Sequence, residues 1–305
     1  MNAPGVQAPL HERLSPTVRG LLWATAAGVL FSVLNASMRM LSQTLDPFET
    51  QFLRYLCGLF VMFPLMLRSG FGTYRPRSIG GQMWRGAVHT VGLLLWFVAL
   101  PRIPLADMTA IGFTTPIFIM IGAAMFLGET MRWDRWAAAL LGFAGVTIVV
   151  GPKLDGAGGL YNLVMLASAP AFAASFLITK ALTRHDDPEV IVAWQSLTVS
   201  LFSLPFALLN WVWPSPIQWI WFAGCGVLGS AGHYCLTRSF RAADISATQS
   251  ARFLDLVWAT LLGWLMFADS PTLATLLGGV VILFATLWIA RREARGARAA
   301  PATTT

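Results

Sequence analysis

Charge is what this sequence has least of. Only 21 Lys and Arg and 14 Asp and Glu occur in 305 residues, 11% of the chain, against 56% hydrophobic residues. Ordinary soluble domains carry about 25% charged residues. A water-facing surface for a soluble fold of this length is therefore missing, and the apolar excess must face lipid. Cysteine is scarce too. Cys57, Cys225 and Cys235 all sit in apolar stretches, which excludes a disulfide framework and zinc-ligand spacing. There is no Walker A sequence, no H-E-x-x-H and no Ser/His/Asp arrangement. A nucleotide-driven pump would need an aqueous domain for which no residues remain. The polar N-terminal stretch lacks the pattern of a cleavable signal.

What is present is apolar length. A span takes about 20 residues, and uninterrupted runs predict ten: 19–39, 49–67, 83–101, 105–127, 135–151, 160–182, 189–211, 217–238, 244–267 and 272–290. Asp46-Pro47, Gly151-Pro152, Asp187-Pro188 and Ser270-Pro271 are among the breaks between them. Pro116, Pro170 and Pro205 fall inside spans and are expected to interrupt them. The expected class is an all-α integral membrane protein of ten transmembrane helices. Sixteen Lys and Arg, Arg85 and Lys180 among them, fall on the side of the termini. Arg39, Arg102 and Lys153 fall on the other, and Arg54 and Arg252 lie within spans. Positive residues collect in the cytoplasm, so both termini are expected there. The net charge of +7 then reports topology, not nucleic-acid binding.

The chain also matches itself at an offset of about 140 residues. Ile103-Pro104-Leu105-Ala106-Asp107 runs beside Ala243-Asp244-Ile245-Ser246-Ala247, and Gly128-Glu129 beside Ala268-Asp269. This divides the chain into a tail (1–18), a five-helix repeat (19–151), a second five-helix repeat (160–291) and a tail (292–305). An odd number of spans per half makes the two repeats inverted, an arrangement of secondary transporters.

Several residues resemble a known family. Phe52-Leu53-Arg54-Tyr55, the run A-L-x-x-I-P-L-A-D at Ala99 to Asp107, Pro116, and Phe126-Leu127-Gly128-Glu129-Thr130 look like the EamA group of the drug/metabolite transporter superfamily. The resemblance covers residues 19 to 291, with Asp269 in place of the second closing Glu and no Pro opposite Pro116. It implies a ten-helix carrier of small metabolites in the bacterial inner membrane. Amino acids, polyamines, riboflavin-like vitamins, nucleosides, S-adenosylmethionine and metallophores are all compatible with it.

Ionisable groups at mid-depth are costly and so mark function. Arg252 and Asp255, at i and i+3 in the ninth span, share a face with Ser246, Gln249 and Ala259. The matching stripe of the fourth span is Ala106, Thr109, Gly112 and Thr115. Either Arg252 and Asp255 bind the solute, or they form a neutralised pair that fixes packing. Arg54 either takes a carboxylate in a bidentate fork, or serves gating by reaching the outer interface or clamping carbonyls. His89 and His233 are candidate proton relays or satisfied buried groups. Trp96 and Trp258 are the tryptophans expected to wall a site. Small residues at Gly20, Ala24, Gly28, Gly226, Gly229 and Gly232 predict close helix crossings.

The expected activity is secondary transport of an amino acid or related zwitterionic or carboxylate solute by alternating access. A membrane-embedded enzyme is the reading from another class. The expected partners are a small-molecule metabolite, membrane lipid and a coupling proton. No cofactor, metal or nucleic acid is expected, and the protein is expected to be a monomer or homodimer.

Overall fold

A computed structural model describes residues 15–112, 114–129, 133–151, 159–252, 254–269 and, in part, 273–292. Among them the chain is helical, with no strand. The elements are α1 (Pro16–Leu41), α2 (Pro47–Ser69), α3 (Ile79–Ala99), α4 (Leu105–Gly112), α5 (Thr115–Gly122), α6 (Trp133–Val150), α7 (Gly159–Leu182), α8 (Pro188–Ala207), α9 (Pro216–Ala242), α10 (Ile245–Arg252) and α11 (Asp255–Phe267). Residues 273–292 are helical wherever they are described.

Prolines start helices more often than they break them. Pro16, Pro47, Pro188 and Pro216 occupy the first turns of α1, α2, α8 and α9, where the missing N–H has no helical partner anyway. The preceding residue often caps. The Asp46 carboxylate accepts from Phe48 N at 2.8 Å, and Ser215 and Gln218 form a reciprocal capping box. Pro170 and Pro205, expected to interrupt their spans, lie inside the continuous helices α7 and α8, as does Pro64 in α2.

The fourth and ninth spans do not run as single helices. Each breaks at the same register, α4 ending at Gly112 before α5 begins at Thr115, and α10 ending at Arg252 before α11 begins at Asp255. At both breaks the backbone tightens to i→i+3 bonds, from Thr114 N to Ile111 O (3.1 Å) and from Leu254 N to Ala251 O (3.2 Å). Both segments also end alike. Gly128 and Ala268 take positive φ (69° and 54°), and the next residue donates back six positions, Glu129 N to Ala123 O and Asp269 N to Gly263 O. The 140-residue self-match is thus a match of backbone geometry as well as of letters. Among the described residues four helices, Pro16–Leu41, Pro47–Ser69, Gly159–Leu182 and Pro188–Asn210, are long and apolar enough to cross a membrane by themselves. The broken segments fall short in length.

Packing between the halves is exchanged. The first helix of each half lies on the third of the other, α1 on α9 and α7 on α3, while α2 faces α8 across the middle. The crossings are close where small residues allow it. A Cβ on Gly226 would stand 2.7 Å from the Cys57 carbonyl carbon, and one on Gly232 2.9 Å from the Phe31 ring. The ends are exchanged too. Arg39 of α1 donates to Asp269 after α11 at 2.6 Å, and Lys180 of α7 lines a polar cavity together with Glu129 after α5. Because the Gly226 contact is with backbone, α2 cannot simply turn a side chain away. Gly226→Val is expected to destabilise the purified protein by about 1–3 kcal/mol, measured as a lower midpoint of thermal unfolding in detergent.

Candidate functional site

Both helix breaks open onto one cavity. Gly112, Thr115, Arg252 and Asp255, the residues flanking the two breaks, all line it. Backbone freed from a helix inside a membrane is tolerated only in protein interior or against a cavity, so the breaks and the cavity belong together. Phe31, Trp96, Phe97, Phe172 and Phe176 supply aromatic wall, and Phe172 and Phe176 lie nearly parallel at 17° with centroids 6.3 Å apart.

Arg252 and Asp255 are only loosely paired, with Nε 3.9 Å from Oδ2. Arg252 Nη1 is buried without a partner, and its guanidinium carbon stands 5.2 Å from the Phe176 ring centroid. Asp255 lies where α1 has no side chain, since a Cβ on Gly28 would come within 2.1 Å of Oδ1. Arg54, 6% exposed, lines the same cavity and lies over the Tyr55 ring at 4.1 Å. The reading in which it reaches the outer interface is corrected, because α8 and α9 pack over α2 and bury it.

A buried hydrogen-bond network meets the cavity at Tyr55. Its hydroxyl stands 3.0 Å from His89 Nε2 and 3.3 Å from His233 Nε2. Gln195 Nε2 approaches His233 Nε2 at 3.2 Å, and His89 Nδ1 meets Ser175 Oγ at 3.0 Å. Arg85 orients the whole. Its guanidinium donates to Gln195 Oε1 and Thr179 Oγ1, both at 2.5 Å, and to Ile191 O at 3.1 Å. With its oxygen held by Arg85, the Gln195 amide turns its NH2 toward His233, so His233 Nε2 is an acceptor and its ring is neutral.

Of the residues expected from sequence, Arg252, Asp255, Trp96, Thr109, Thr115, Arg54, His89 and His233 all line the cavity. Trp258 does not, and its indole N–H is buried without a partner. Ala259, the next residue of α11, stands on the cavity side instead. Gln249 lies on α10, with its side chain outside the described residues. Tyr55, Gln195, Phe172 and Phe176 escaped the sequence reading. Arg85 was assigned to cytoplasmic charge, but it is 2% exposed between α3, α7 and α8. Tyr55 had one available signal, its place beside Arg54 in a chain with four tyrosines.

The EamA-like transporter family model matches residues 18–151 and again 159–291. The chain belongs to this family, within the drug/metabolite transporter superfamily. It is similar to a riboflavin transporter of Rhizobium johnstonii, 33% identical over 96% of this chain and 97% of that protein. It is also similar to an S-adenosylmethionine uptake transporter of Rickettsia felis, 27% identical over 93% and 96%. A third relative is the pseudopaline exporter CntI of Pseudomonas aeruginosa, 28% identical over 90% and 96%. One solved structure, 20% identical, shares the fold with a TM-score of 0.72 over 92% of this chain and 98% of its own. This EamA protein is accordingly a multi-pass metabolite transporter of the bacterial inner membrane.

Replacing Arg85 with Met removes a charge and leaves Gln195, Thr179 and the Ile191 carbonyl short of a donor. The expected cost is about 3 kcal/mol, read as a lower thermal midpoint. The His89 and His233 ring-nitrogen NMR signals should shift with it, as Gln195 loses its fixed orientation.

Proposed function

We propose that this EamA protein is a secondary carrier working by alternating access, with ten spans in two inverted halves and both termini in the cytoplasm. Its solute is a ring-bearing polar metabolite, not a plain amino acid. One observation carries this reading: both helix breaks open onto a single cavity, which Arg252 and Asp255 share with an aromatic wall. Solute sites of secondary transporters lie at discontinuous helices between repeats. The stacked pair Phe172 and Phe176 suits a flat ring system, and Trp96 adds a further aromatic face. Riboflavin and S-adenosylmethionine, named for two relatives, both contain fused heteroaromatic rings, so the substrate expected from sequence gives way to a larger one.

The exchanged ends supply the gates. Arg39 and Asp269 would close the periplasmic side, joining the first helix of one half to the broken segment of the other. Lys180 and Glu129 take the corresponding positions on the cytoplasmic side. Rocking one half against the other opens one pair while the other stays closed, and the cavity keeps its lining throughout.

Two measurements test this reading. In proteoliposomes, Arg252→Ala and Asp255→Ala should each slow saturable counterflow of a ring-bearing solute at least about tenfold, the factor given by ~1.4 kcal/mol. Unchanged rates in both variants sink the site assignment. For the gate, Thr109→Cys supplies a cavity thiol. Adding Asp269→Asn should raise its labelling by an impermeant reagent from the periplasmic side about two- to fivefold, the shift that a pair of up to ~1 kcal/mol supports. Equal labelling with and without Asp269→Asn removes the gate.

A further inference from the structure

The cavity holds more positive charge than its own residues neutralise. Arg54 and Arg252 both line it, and among the described residues Asp255 is the one carboxylate that does. Asp255 is already the neighbour of Arg252. Among the described residues Arg54 has no hydrogen-bond acceptor. Its Nε is buried without a hydrogen bond, and its guanidinium lies over the face of Tyr55. Glu49 lies on the same helix but turns to the Val212 N–H at 3.1 Å. The neutral His233 ring adds no compensating charge. A guanidinium 6% exposed and short of acceptors is expensive in a low-dielectric interior.

A missing side chain on α9 leaves room for the guanidinium itself beside the cavity. Gly229 of α9 faces the Arg54 guanidinium, and a Cβ there would already stand 3.1 Å from Nη2. The geometry points to Arg54 as a carboxylate-binding subsite: the ring-bearing solute carries a carboxylate that docks on the Arg54 fork while its rings lie against the aromatic wall. This rests on the carrier reading above and names the solute's charge. Among the described lining residues two guanidiniums face one acidic side chain, an excess of positive charge that a carboxylate on the solute offsets. A guanidinium also pairs with a carboxylate through two parallel hydrogen bonds, which fixes the solute's orientation as well as its sign.

The test uses the full chain purified in detergent, with indole-3-carboxylate and its neutral isostere indole-3-carboxamide as probes. Binding is read by ligand-dependent thermal shift. The carboxylate should bind at least about tenfold tighter than the amide, as a charge-assisted pair supports. In Arg54→Gln the preference should fall to near parity with amide binding retained, and Arg54→Lys should keep part of it. If Arg54→Gln does not fold, Arg54→Lys against the unaltered protein decides by the same ratio. An undiminished preference in the variants overturns the subsite. So does a shift produced equally by chloride, or by phosphatidylglycerol but not by the carboxylate, since either assigns Arg54 to an inorganic ion or a lipid headgroup. Loss of counterflow with the carboxylate preference intact sinks the carrier reading and leaves the subsite standing.

Discussion

A helix that breaks inside a bilayer exposes backbone groups that lipid cannot satisfy. That constraint organises this molecule. The breaks after Gly112 and after Arg252 must face protein or a cavity, so α4–α5 and α10–α11 are drawn inward. The unbroken helices α1, α2, α7 and α8 keep the apolar length that a membrane requires. Each break bends its segment by a few i→i+3 bonds and brings the flanking residues to one place. The binding groups stand there because the backbone does.

Buried arginines show how one residue type serves different ends. Arg85 is surrounded by acceptors, and its planar fork orients Gln195 and through it His233. That set of bonds is closed, and it rigidifies the floor of the cavity. Arg54 is likewise buried and Arg252 half-buried, yet their acceptors are missing or distant. Between Arg85 and Arg54 the contrast lies in the number of nearby acceptor oxygens, not in burial. The satisfied guanidinium holds structure, and the unsatisfied ones are those proposed to take the solute.

The exchange of helices between halves links this site to motion. α1 touches α9, α10 and α11, and α7 touches α3, α4 and α5. Each half therefore grips the other's broken segment with its own first helix. The ion pair of Arg39 with Asp269 ties such a grip at one end, and Lys180 stands near Glu129 at the other. The same contact is thus written twice, in opposite order along the chain, as the proposed alternating opening requires. Glycines at the crossings let α1 and α9 lie close enough for a small tilt to move the cavity lining.

Composition and apolar runs were enough to establish a helical membrane protein, because lipid imposes a length and a polarity that any such chain must show. The internal match was legible for a similar reason: two copies of one scaffold keep the same turn residues, Gly128-Glu129 and Ala268-Asp269. Mid-span charges marked Arg54, Arg252 and Asp255 as residues to place, since charge in an apolar run needs a cause. Pro116 marked the fourth span for interruption, and the break falls beside it, between Gly112 and Thr115. The ninth span has no proline at that register, so its break was not legible. Nor did the sequence separate Arg85 from the loop charges, or Trp258 from the cavity wall. Those depend on which oxygens and rings distant helices bring within a few ångströms. Only the tertiary packing of α1, α3, α7, α8 and α9 around the two breaks decides that.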